Sequence, residues 1–120
     1  MKWQAIISEV GVEVQDLLES SHQFDLVIEG RRDDMRDFTI HFAGELPTED
    51  LTVGDAVTID GTELFILAIG EQFNEHFRKH GACTVELSGG FVPETPYNVI
   101  LEGDFERTDF LRDGAMITVR

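Results

Sequence analysis

A chain of 120 residues, 42% of them apolar, is long enough for one domain with a substantial core and too apolar to be a disordered segment. Nine Lys and Arg stand against 24 Asp and Glu, and the formal net charge of −15 repels phosphate backbones and anionic lipid surfaces, which excludes the usual nucleic-acid and membrane-surface binders. Cys83 is the single cysteine, so an internal disulfide is excluded and a reducing compartment is expected.

Along the chain, short runs with period-two alternation predict strands at about 3–7, 24–29, 38–42, 56–60, 64–69, 84–87, 98–102 and 115–119. The N-terminal segment has no apolar stretch of signal-peptide length. The longest apolar run, "LFILAI" at 64–69, is far short of a bilayer span, so a cytoplasmic protein is expected. The segment "VEVQDLLES" is amphipathic and fits either helix or strand, and His22 in "SSHQ" reads as a turn residue. Asp60-Gly61 joins two apolar runs as a hairpin turn, because such turns need positive φ.

One segment departs from the strand pattern. In "GEQFNEHFRKHG", Phe73, His76 and Phe77 have helical spacing, with Glu71 and Glu75 early and Arg78, Lys79 and His80 late, as a helix dipole favours. Gly81 then supplies the left-handed residue on which helices end. Gly89-Gly90, Pro93, Pro96 and Asp113-Gly114 punctuate the rest. The expected fold is all-β: a small closed or partly closed barrel with one short helix at about 71–80, in a single domain over residues 1–120.

Two stretches also match each other. "TIHFAGELPTEDLTVGDAVTI" and "NVILEGDFERTDFLRDGAMITV" share a strand, a glycine, an apolar residue (Leu51, Phe110), a turn and a second strand opening on alanine. In such a repeat Ile100 is the counterpart of His41, so the architecture does not itself require a histidine there.

Chemistry-bearing residues are sparse. No phosphate-binding Gly-rich loop, GxSxG, HExxH or CxxC pattern is present. His76 and His80 have the i, i+4 spacing of a metal chelate, but no further ligands accompany them, and two helix-surface histidines is the simpler reading. Arg31, Arg32 and Arg36 are interleaved with Asp33, Asp34 and Asp37, the pattern of a self-paired, solvated loop. His41 alternates with Ile40 and Phe42, which places it on the outward face of a strand, read here as open to solvent. By residue chemistry alone it is a general base, a ligand, a nucleophile or a bystander.

The order and spacing of these pieces resemble a known family. Ile40-His41 followed by Gly44-Glu45-Leu46, Gly54 before a strand, Ala68-Ile69-Gly70 closing a strand, the short helix, Gly81 and Thr84 together look like the glucitol/sorbitol-specific IIA component of the phosphoenolpyruvate-dependent sugar phosphotransferase system, over about residues 5–119. That resemblance implies a barrel-like cytoplasmic carrier without cofactor or metal. Such a carrier accepts a phosphoryl group on a histidine from the small protein HPr and passes it to the IIB part of a IIB/IIC sugar permease. His41 matches the acceptor histidine, with Gly44 and Glu45 as supporting residues, Glu45 orienting the ring. An unperturbed imidazole, with a pKa near 6.5, is roughly three-quarters neutral and so nucleophilic at pH 7. Two departures stand out: the family commonly has a second histidine where this chain has Ala43, and a Gly-His after the helix where it has Gly81-Ala82. They leave open an alternative, a divergent regulatory or binding module of the same fold with little or no phosphotransfer.

Overall fold

The computed structural model describes residues 1–31, 34–104 and 106–120. Eight strands form a closed barrel: β1 (Trp3–Val10), β2 (Gln23–Ile28), β3 (Thr39–Ala43), β4 (Ala56–Ile59), β5 (Thr62–Ile69), β6 (Ala82–Glu86), β7 (Asn98–Glu102) and β8 (Met116–Val119). Around the wall they run β1-β3-β2-β6-β7-β5-β4-β8, with β8 pairing back onto β1, so each of these eight strands is paired on both sides. All eight expected strands are present, and β4 and β5 meet through the Asp60-Gly61 turn, both residues at positive φ.

Two helices among the described residues pack against the barrel core. The expected one is α2 (Phe73–His80), which buries Phe73 and Phe77 and ends on Gly81 at φ 65, whose N–H bonds the Phe77 carbonyl. The segment that fitted either element is α1 (Val14–Ser21), because Val14 and Leu18, four apart, both find the core. His22 is its left-handed end residue at φ 58. A 3-10 turn over Arg36–Phe38 precedes β3.

The barrel interior is filled by alternating inward residues. Trp3 meets the rings of Phe42 and Phe77 edge-on at 5.3 and 5.4 Å, and Phe73 stacks on Phe77 at 5.6 Å. What remains inside is an apolar cavity of about 50 Å³, far below the several hundred Å³ of a small-molecule site, so the barrel is a packed core and not a sugar pocket.

The repeat suspected from the two short stretches extends across the barrel. With an offset of 59 positions, as between Gly11 and Gly70, the β1–β3 pairing Ile7↔Phe42, Glu9↔His41 becomes the β5–β7 pairing Ile66↔Leu101, Ala68↔Ile100, with the same irregularity before the second pair. Likewise the parallel pair β2–β3, with Asp25 opposite Thr39, becomes β6–β7, with Thr84 opposite Asn98. Even single bonds repeat: the Gly11 N–H reaches the Thr39 carbonyl as the Gly70 N–H reaches that of Asn98.

Candidate functional site

His41 sits in the middle of β3, and its parity is as expected: Ile40 and Phe42 point into the barrel, while Thr39 and His41 point out. Its exposure is not as expected. The ring is 0% exposed, so the open strand face read from alternation is corrected. The reason is topological. β2 and β3 are parallel neighbours, so the chain must return along the strands between them, and with the interior packed it returns over the outer face. The described end of that crossover is tied down: Thr39 Oγ1 donates to the Met35 carbonyl at 2.9 Å, and the Glu13 N–H to that of Asp37 at 2.8 Å. Strand alternation reports which face a residue takes, not what covers that face.

The flanking strands supply the rest. Glu9 of β1 and Val27 of β2 stand opposite His41 on either side. Glu29 follows β2, its N–H bonded to the Phe42 carbonyl at 2.7 Å, which sets it beside β3. Ser8 donates its hydroxyl to the Glu29 carboxylate, and Arg36 bonds both Glu9, through Nε, and Glu29, through Nη2 at 3.1 and 3.2 Å. Since β1 and β2 lie on opposite sides of β3, these bonds bridge across the strand that carries His41. Hydrogen bonding from Ser8 holds the Glu29 carboxyl below the ordinary carboxylate range against a contrary effect of burial; Arg36 and the His41 imidazole act in the same direction as Ser8. The guanidinium of Arg36 is pushed above its already high value by the hydrogen bonds it donates to Glu29 and Glu9.

Comparisons with known proteins show the family. The family described as PTS system glucitol/sorbitol-specific IIA component matches residues 2–118, nearly the whole chain. The chain belongs to that family. The crystal structure of a PTS system IIA component from Enterococcus faecalis V583 has the same fold, with a TM-score of 0.75 over 97% of this chain and 98% of that one at 19% identity. Comparison with curated proteins gives no match.

Within this IIA framework the other expected residues fall as follows. Gly44 closes β3 at φ +139, a conformation that favours glycine, and an added Cβ would meet Ala5 and Gln4 at an ordinary 3.4 Å. Backbone conformation and not crowding is thus what glycine serves there. Glu45, expected to orient the ring, lies past the end of the strand with its side chain exposed; its carbonyl accepts the Trp3 indole N–H at 2.6 Å. The carboxylates set beside His41 are instead Glu9 and Glu29, which the sequence reading did not single out. Positions 43 and 82, where the resemblance led to an expectation of further imidazoles, share the outer face with His41: Ala43 is two residues along β3, and Ala82 pairs with Val27, itself opposite His41.

The arginine cluster does not pair within the loop at Arg36 as expected, since Arg36 turns to Glu9 and Glu29 on the neighbouring strands, while Arg31 donates to the His80 carbonyl at 2.9 Å; Arg32 and Asp33 lie outside the described residues. His76 and His80 are ring neighbours at 4.6 Å on α2, with Tyr97 at 4.7 Å from His76. Burial lowers the His76 pKa, and the charges of His80 and Arg31 lower it further. Among the described residues no group of three potential metal ligands gathers there or elsewhere. Burial, and secondarily Asp25, pushes the Cys83 thiol far up, which removes it as a nucleophile. No helix among the described residues is long and apolar enough to cross a membrane.

Proposed function

We propose that the protein is a cytoplasmic phosphocarrier of the sugar phosphotransferase system, with His41 accepting a phosphoryl group from phosphorylated HPr and passing it to a IIB domain of a glucitol/sorbitol-type permease. The observation that carries this reading is the position of His41: the middle of a rigid barrel strand, under a cluster of charged side chains, in a chain of the IIA family. In the transfer, the lone pair of one His41 ring nitrogen forms a new N–P bond as the donor's N–P bond breaks and returns its pair to the donor nitrogen. Each ring keeps the proton on its far nitrogen, so atoms and charge balance. Such a transfer asks for in-line positioning and charge stabilisation above all.

Burial of the ring is compatible with this role because the bonds bridging β3 are made by surface side chains. Arg36 and Glu9 are each 43% exposed and Glu29 35%. Arg36 ion pairs exposed to this degree contribute little and open readily when a partner protein docks, while the Ser8 hydroxyl still holds the Glu29 carboxylate.

The alternative, a regulatory module with little or no transfer, draws on Ala43 and Ala82, both without an imidazole on the face that His41 shares. Incubation with phosphoenolpyruvate, enzyme I and HPr separates the readings. The carrier reading predicts an acid-labile, base-stable phosphate on the wild type and none on His41→Ala. A label that survives in His41→Ala overturns His41 as acceptor; no label on the wild type, with HPr shown to be active, supports the regulatory module.

A further inference from the structure

We infer that Glu29 is the positioning residue of this site: its carboxylate, clamped across the outer face of β3 by Ser8 and Arg36, orients the His41 imidazole and offsets the positive charge that the ring gains on phosphorylation. The inference rests on His41 as acceptor.

The internal repeat provides the control that an isolated site lacks. Each residue of the cluster has a counterpart 59 positions on: Leu67 for Ser8, Ala68 for Glu9, Ser88 for Glu29, Thr95 for Arg36 and Ile100 for His41. The second half builds the same irregular β5–β7 ladder and the same parallel crossover with none of these charges. The fold therefore does not need the cluster. Where the histidine is absent, the positions of Glu9, Glu29 and Arg36 are uncharged as well; the acid that the second half buries opposite Ile100, Glu86, stands at the position of Val27 and is held by Asn98 and the Glu94 N–H, with no cation from the crossover.

Among the acids of the cluster, Glu29 is the one held by two side-chain donors, Ser8 and Arg36. It sits on the same outward face as Val27 and His41, one step beyond the register pair Ile28↔Phe42, which makes it a diagonal neighbour of the ring. Two donors from opposite sides, Ser8 on β1 and Arg36 in the 3-10 turn, fix its carboxylate. Glu9 receives Arg36 and stands directly opposite His41. Among the described residues, the charged groups on the elements around the ring are Glu9 of β1, Asp25 of β2, Glu29 just after β2, and Arg31, Asp34, Arg36 and Asp37 of the crossover, a net negative surround. A ring phosphorylated on one nitrogen with a proton on the other is cationic at that second nitrogen, and a fixed carboxylate is the group that stabilises it. This is the role an acid plays behind a histidine in hydrolytic triads and metal sites.

The test is Glu29→Gln in the full-length chain, read in two ways. First, ring-¹⁵N NMR of the unphosphorylated protein, with no donor present, reports which His41 nitrogen carries the proton. The expected result is one dominant tautomer in the wild type and a changed tautomer pattern in Glu29→Gln. Second, rapid-quench transfer from phospho-HPr should show kcat reduced roughly ten- to a hundredfold with KM within about twofold. Glu29→Asp should recover part of that loss, and Ser8→Ala, which leaves the carboxylate but releases one clamp, should give a smaller effect of the same sign. Unchanged ring signals, or a rise in KM at constant kcat, would overturn the role of Glu29. The NMR arm stands even where transfer fails, so loss of the acceptor reading and loss of this one are told apart.

Discussion

His41 and Ile100 occupy equivalent places in two copies of one backbone, and both are fully buried. At the scale of single residues, then, the identity of a buried side chain is set by chemistry where packing accepts either. The same scale governs the ion pair that ties the N-terminus to the turn before β4. Burial alone would raise the Asp55 carboxyl, but the Lys2 ammonium at 2.9 Å and the Thr52 N–H at 2.8 Å outweigh it and hold the acid below its ordinary value of 3.8. An acid whose folded pKa is depressed stabilises the fold above the unfolded value and loses that contribution as pH falls through the folded one. Lys2→Met should therefore cost about 1–2 kcal/mol at neutral pH, and the gap from wild type should shrink below pH 3.8. Urea midpoints measured from pH 7 down to pH 2.5 check this, and a gap independent of pH would contradict it.

Elements obey a different economy, in which close backbone approach decides. Gly11 and Gly70 end β1 and β5 where each crossover passes: a Cβ on Gly11 would lie 2.3 Å from the Asp37 carbonyl oxygen, and one on Gly70 2.2 Å from that of Pro96. Neither oxygen belongs to a side chain that can swing away. At Gly61, by contrast, φ is +82 and nothing lies within 4 Å, so alanine meets only the backbone penalty. Alanine at either crossover glycine should cost about 3 kcal/mol or more, and at Gly61 about 1 kcal/mol, as read by thermal unfolding. Equal losses at all three would mean that the crossovers yield.

At this scale the sequence was largely legible. Eight alternating runs gave eight strands, and the Phe73, His76, Phe77 spacing gave α2. The segment before His22 stayed open because Val14, Leu17 and Leu18 suit either period, and burial of Val14 and Leu18 decides it only in three dimensions. The site was legible in part. His41 was marked by its own chemistry and by order along the chain, but residues 8, 9, 29 and 36 are scattered and meet only because β3 is threaded between β1 and β2. One signal was available: extending the match between the two halves to the whole chain would have flagged Glu9, Glu29 and Arg36 as charges with uncharged counterparts.

For the whole molecule, closure and pseudo-symmetry act together. Each half gives its last strand to the other, since β4 pairs with β5 and β8 with β1, and the wall closes where β4 meets β8. The result is a scaffold with a solid apolar interior, two covered outer faces, and charge clustered about a histidine on one of them. The net charge of −15 adds a long-range field that draws in a basic partner surface and repels acidic ones. The central claim, a single phosphoryl-accepting histidine in the first half, is tested most directly by mapping the modification. After brief exposure of the intact protein to phospho-HPr, fragmentation mass spectrometry under alkaline conditions should place one phosphoryl group on His41, with His22, His76 and His80 unmodified. A phosphoryl group on any of those three, with His41 bare, would contradict it.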